Sequence, residues 1–198
     1  MQISIRDDLK KLTRDLTRLQ KKQIPFAASV AINETAENAQ AALKAQAQKK
    51  LDRPTKQTIN AFRVGRKSNK NNLTRNVFIL PWAAAYLRYQ IDGGTRVVLG
   101  KGTGVPVNAR LNKFGNIPGR KKGLVKGKKQ FIATINGITG VWQRHGRKGK
   151  FIKLIAAFET KVNYTKRLNF YKIVNGVVTN RFNKNMNKAL KRALSTEK

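Results

Sequence analysis

Apolar positions along this chain follow two rhythms. Leu9, Leu12, Leu16 and Leu19 fall at three- and four-residue steps, the seam of an amphipathic helix. Pro25 predicts an interruption. Phe26, Ala27, Val30, Ala31, Ala36, Ala39, Ala42, Leu43 and Ala47 then predict a second helix that ends near Asp52. Its face is mostly Ala, which lets another backbone approach closely. Two readings of this region stand side by side. Either the helices pack within one domain, or they form a hairpin whose Leu9, Leu12, Leu16, Leu19, Ala36, Ala39 and Leu43 dock on a neighbouring subunit. Ahead of them, residues 2–5 alternate apolar and polar and predict a short strand.

The rhythm then shortens. Residues 55–62 predict a short helix with Pro54 at its first turn. Residues 73–80 are rich in β-formers, and 82–91 predict a helix. Gly93 and Gly94 break the chain before a strand at 95–99. Gly and Pro punctuate residues 100–127, which predicts a long loop of the kind that is functional or disordered. Residues 131–135 and 138–142 flank Asn136 and Gly137, a strong hairpin signal. Residues 151–158 predict another strand. Over 170–194 a helix is expected, with Val174, Val178, Phe182, Met186, Leu190 and Leu194 at four-residue steps and Arg181, Lys184, Lys188, Lys191 and Arg192 on roughly the opposite face. Helix, β-rich middle and helix define an α+β chain. The expected organisation is an N-terminal helical region, 1–52, and a basic β-rich region with the C-terminal helix, 53–198, together one compact unit.

Charge changes this picture more than composition does. The 198 residues carry 43 Lys/Arg against 9 Asp/Glu, a formal net charge of +34, while 40% hydrophobic residues suffice for a packed core. The excess is uneven: ten basic residues meet six acids in 1–52, but thirty-three meet three in 53–198. A surface of that kind suits a polyanion, nucleic acid above all. The longest uncharged apolar run, 77–87, is far short of the roughly 20 residues that span a bilayer, and no membrane partner is expected. Arg6, Asp7, Asp8, Lys10 and Lys11 stand where a secretory signal needs apolar residues, which predicts a soluble chain in a cytosol-like compartment.

Catalytic chemistry finds few side chains to work with. Absence of Cys excludes disulfides, thiolate zinc sites and thiol nucleophiles, and a single His excludes any two-imidazole site. Gly100-Lys101-Gly102-Thr103-Gly104 resembles a phosphate loop but fails on spacing: Gly94 is one residue too far back and Gly102 replaces the hydroxyl residue. Asp92 and Glu159 are the only carboxylates between 53 and 196, too few for a two-metal site, and read better as structural residues among cations. His145, beside Arg144 and Arg147, reads as a loop residue near phosphate or protein, not a general base. No catalytic residue, metal or cofactor is expected.

Two basic clusters carry the functional expectation. Arg120, Lys121, Lys122, Lys126, Lys128 and Lys129 are interleaved with Gly, and Arg144, Arg147, Lys148 and Lys150 follow the predicted hairpin. Flexible basic loops contact phosphates without reading bases. Solvated loops that keep the chain in solution are the plain alternative, and an acidic protein partner is another. No helix-turn-helix, zinc finger or RNA-recognition motif is evident, so non-specific contact is expected.

The arrangement also resembles the minor tail protein Z, or tail-completion, family of tailed phages. The resemblance spans nearly the whole chain: the strand and basic helix at 3–19, Pro25 and the Ala-rich helix, Asp52-Arg53-Pro54-Thr55, Ala61-Phe62-Arg63-Val64, and Gly93-Gly94-Thr95-Arg96. Val105-Pro106-Val107, then Arg110-Leu111-Asn112-Lys113-Phe114-Gly115-Asn116-Ile117-Pro118, Gly140-Val141-Trp142-Gln143-Arg144 and the basic C-terminal helix complete it. The resemblance implies a non-enzymatic virion protein at the head–tail neck or upper tail, assembled in the host cytoplasm. Its implied partners are further copies in a ring, portal/connector or tail-terminator and tail-tube proteins, and genome DNA. A ribosomal-type RNA-binding protein is the competing reading, motivated by the pI near 11.4.

Overall fold

The computed structural model describes residues 18–98, 100, 102–118, 125 and 129–195. They form an α+β structure of two compact units. One is discontinuous, Met1–Ile91 with Arg167–Lys198, and the other is Asp92–Lys166. The division therefore falls at 91/92 and 166/167, not at 52/53. The reason is the C-terminal helix, which packs with the N-terminal one and so joins the two ends of the chain in one unit.

In the helical unit, α1 (Arg18–Lys50) runs without a break through Pro25. This corrects the expected helical hairpin: Pro25 lies inside the helix. A helix-interior Pro costs about 3 kcal/mol. The helix continues because its downstream face is buried, with Ala27, Ala28, Ala31, Ala36, Ala39, Leu43 and Ala47 all withdrawn from solvent. Its partner is α4 (Phe170–Ser195), which lies antiparallel to it. Ala27 meets Ala189 and Ala193 at one end; Ala39 and Leu43 join Phe170 and Val174 at the other. Midway, Asn185 Nδ2 donates to Thr35 Oγ1 at 3.0 Å, and Thr35 in turn donates to the Ala31 carbonyl at 2.7 Å.

The buried stripe of α4 departs from the expected one at its C-terminal end. Val174 is buried and Val178, Phe182 and Met186 are half-buried, but Leu194 is 53% exposed while Ala189 and Ala193 are buried. A four-residue step advances about 40° beyond a full turn, so five such steps carry a side chain round to the other side. A three-residue step from Met186 to Ala189 returns the stripe to α1.

Shorter elements close the helical core. The helix α2 (Lys56–Ile59) is capped by Thr55, whose Oγ1 accepts from the Thr58 amide at 3.1 Å. The chain continues into β1 (Phe62–Val64), paired antiparallel with β2 (Val77–Ile79), so the short helix stops before Phe62. Phe62 and Leu87, the latter on α3 (Pro81–Ile91), are fully buried beside Leu43 and Leu168. Arg75 fastens the 65–75 segment to α1. Its guanidinium donates to Glu37 Oε1 at 2.9 Å, to the Asn33 carbonyl at 3.0 Å and to the Gly65 carbonyl at 3.3 Å.

The sheet unit holds β3 (Gly94–Val97), β4 (Thr103–Pro106), β5 (Gln130–Ile135), β6 (Ile138–His145), β7 (Phe151–Glu159) and β8 (Lys161–Tyr164). A four-stranded antiparallel sheet has the order β4-β7-β6-β5, and β3 pairs with β8. The expected hairpin forms β5 and β6, with positive φ at both Asn136 and Gly137. The strand β4 lies inside the stretch expected as loop. Pro106 is accommodated because β4 is an edge strand, where a missing donor costs least. At Gly140 on β6 the sheet closes so tightly that a Cβ would strike the Ala156 carbonyl oxygen and Leu154 Cδ1. A register shift between Val141 and Trp142 accompanies that approach.

Candidate nucleic-acid interface

The sheet unit gathers its basic residues by strand pairing. His145 pairs with Phe151, Arg144 with Ile152 and Gln143 with Lys153, so the end of β6 and the start of β7 lie together. The Arg144 amide donates to the Lys129 carbonyl at 2.9 Å, which brings the approach to β5 to the same end. Between β6 and β7 the chain turns through Gly146 and a short 3-10 segment, Arg147–Gly149, with Lys148 in the left-handed region at φ 60. Lys129, Arg144, Arg147, Lys148 and Lys150 are all exposed there. The Arg144 guanidinium lies 5.1 Å from the Phe131 ring centroid, a cation–π contact that orients it over the sheet.

The sheet unit has two carboxylates, Asp92 and Glu159. Glu159, at the opposite end of β7, pairs with Thr103 and is about 26 Å along the strand from Phe151. Asp92 is exposed at the start of the unit, before β3. No ion pair joins two described residues of the sheet unit. A cluster of cations without counter-charges from its own unit is a site whose electrostatic energy falls when an external anion arrives.

Of the ten cations expected to contact phosphate, the structure brings these five together. Arg120, Lys121, Lys122, Lys126 and Lys128 lie outside the described residues. The expected interface residues divide likewise. Leu9, Leu12, Leu16 and the Leu19 side chain lie outside the described residues. Ala36, Ala39 and Leu43 are buried within the helical unit and are not available to a neighbouring subunit, which corrects their reading as docking residues. They are used intramolecularly because α4 supplies the apolar face they need.

Sequence patterns missed a second feature of the sheet unit. The backbone from Val107 to Ile117 runs beside one sheet face and bounds an open groove of about 690 Å³ lined by Arg110, Leu111, Gln143, Lys153 and Ile155 among others. The Val107 and Asn108 amides donate to the Ile155 carbonyl, and Asn108 Nδ2 donates to the Leu154 carbonyl at 2.8 Å. Asn112 Oδ1 accepts from the Phe114 and Asn116 amides, holding the loop's turn. In the helical unit a groove of about 580 Å³ runs between α1 and α4, rimmed by Lys50, Arg167, Lys172 and Arg181. The Asn136–Gly137 turn sets β5 against β6 and so could have placed Gln130 opposite Gln143. Nothing comparable in the sequence sets the register of β7.

Among the described residues no group of three or more His, Asp or Glu side chains could hold a metal ion. No described helix is long and apolar enough to cross a membrane. Compared with protein-family models, curated proteins and solved structures, the chain matches none.

Proposed function

We propose that this chain is a non-enzymatic structural protein of a tailed-phage virion, acting in tail completion or at the head–tail neck and touching genome DNA or an acidic ring partner without reading sequence. The observation that carries the contact is the exposed cation cluster at one end of the β5–β6–β7 sheet, with Glu159 at the far end of the same strand. The virion setting rests on the resemblance in sequence. Point charges on turns hold phosphates without a hydrogen-bond template, which suits DNA that must be held yet still slide. In this role several copies surround or flank a channel beside portal, tail-terminator or tail-tube proteins.

Cryo-electron microscopy of the assembled particle tests the reading. Density for this chain at the portal or upper tail, with the 144–150 turn within reach of DNA or an acidic neighbour, is the expected result. Recovery of the chain with ribosomes, and preference for structured RNA over duplex DNA, would replace it with the RNA-binding alternative.

A further inference from the structure

We propose that one face of the β5–β6–β7 sheet is a binding platform for single-stranded nucleic acid, an inference that stands whether or not the virion role does. Side chains alternate across a sheet, so positions two apart share a face. Gln130, Gln143 and Lys153 are cross-strand neighbours in one row of that face. Two positions further on, His145 and Phe151 are paired on the same face. Their rings stack, with centroids 5.7 Å apart and planes inclined by 28°. Phe151 is nevertheless 56% exposed.

This exposure is built in. Gly146, at φ 80, lies so close to the Phe151 ring that a Cβ there would come within 2.8 Å of Cδ2. The ring is thus seated between the His145 imidazole and the turn backbone while much of it still meets solvent. An apolar ring held open among Lys and Arg residues has no core to join. It does suit a ligand that is both anionic and flat-faced, which a nucleotide is.

The groove beside the ring pair extends the platform. The 690 Å³ space bounded by the 107–118 backbone opens onto the same row, with Arg110 and Lys153 as cations and the Gln143 amide as both donor and acceptor. Such amides bind any base edge without selecting one. A base stacks on the Phe151–His145 pair, its sugar–phosphate follows Lys153 and Arg110, and Arg147 and Lys150 meet the flanking phosphates. Base–aromatic stacking of this kind tolerates every sequence. Duplex DNA hides its base faces in its own stack and can offer this face only phosphates. The platform therefore discriminates by strandedness, not by sequence.

Fluorescence anisotropy of the full chain with a labelled oligo-dT of fifteen nucleotides and a duplex of equal length, at several salt concentrations, tests the proposal. Oligo-dT is expected to bind more tightly than duplex at physiological salt. Phe151→Ala should weaken oligo-dT binding by about five- to 150-fold, the range for losing one stacked base, while duplex binding changes less than twofold. Phe151→Trp should restore the preference, and Lys153→Glu should weaken oligo-dT binding more than duplex binding. Equal loss for both ligands on Phe151→Ala, or no loss for either, overturns the platform and leaves only a general polyanion contact. Competition by polyglutamate as effective as by oligo-dT overturns it in favour of an acidic protein. Neither outcome bears on where the chain sits in a particle, so the two proposals fail separately.

Discussion

The two units carry charge of the same sign and treat it in opposite ways. In the helical unit, cations meet carboxylates: Arg75 with Glu37, Lys188 and Arg192 with Glu34, and Arg53 with Asp52. Arg75 goes furthest, its side chain only 5% exposed and its donors satisfied by a carboxylate and two backbone carbonyls. In the sheet unit seventeen Lys/Arg face two acids, and Glu159 stands at the end of β7 away from the cationic turn. In the first unit some of the charge is met by carboxylates and, at Arg75, drawn into the fold; in the second no two described residues form an ion pair, and the cations of the 144–150 turn are left for something outside. Net charge alone would have treated the units as equivalent.

The contrast can be broken most forcefully at Gly140. Gly140→Ala should destabilise the sheet unit by about 2–4 kcal/mol, because neither the Ala156 carbonyl nor the β6–β7 pairing can retreat. Hydrogen exchange should quicken in β5, β6 and β7, with α1 and α4 protected as before. Equal loss of protection in α1 would show that the helical unit depends on the sheet. The counterpart, Leu43→Ala, removes a fully buried side chain from the helical core and should cost about 2–5 kcal/mol in chemical denaturation.

Arg75→Met asks whether the absorbed charge is structural. It removes the donor to the Gly65 carbonyl, a second donor to the Asn33 carbonyl and the partner of Glu37, and a loss of about 1–3 kcal/mol is expected with DNA affinity unchanged. Replacing Arg144, Arg147, Lys148 and Lys150 by Gln should do the reverse. Melting should stay nearly constant, while the slope of log binding constant against log salt should flatten by up to about 0.9 for each phosphate no longer neutralised. An unchanged slope would return these residues to plain solvated charge.

The smallest effect concerns Asp52. A bidentate hydrogen bond from Arg53 and the attraction of that guanidinium hold its carboxyl below the ordinary carboxylate range. A lowered folded-state value means the contribution is present at neutral pH and is lost as pH falls through that value. NMR titration should show Asp52 still ionised when free carboxylates have protonated, and Arg53→Gln should bring its midpoint back up. Both side chains are exposed, so the change in global stability should be slight.

Local chemistry explains which features were legible in the sequence. Asn136–Gly137 specified the β5–β6 hairpin because that dipeptide accepts positive φ at both turn positions. Alternation and apolar stepping located α3, α4 and β7. Pro25 misled, because the packing that carries α1 through it comes from α4, far away in sequence. Leu194 misled through arithmetic: four-residue steps look periodic on paper but drift around a real helix. As for the candidate site, the basic runs were visible as composition. The Phe151–His145 stack and the Gln130–Gln143–Lys153 row were not, since both exist only once β7 has found β6.

The discontinuity of the helical unit has a consequence during synthesis. The sheet unit is a contiguous stretch, Asp92–Lys166, and its pairings can close as soon as that stretch has left the ribosome. Helix α1 emerges earlier yet must wait, its Ala-lined flank uncovered, until α4 has been translated. That interval is when a chaperone, or a second nascent chain, would have most to gain from α1.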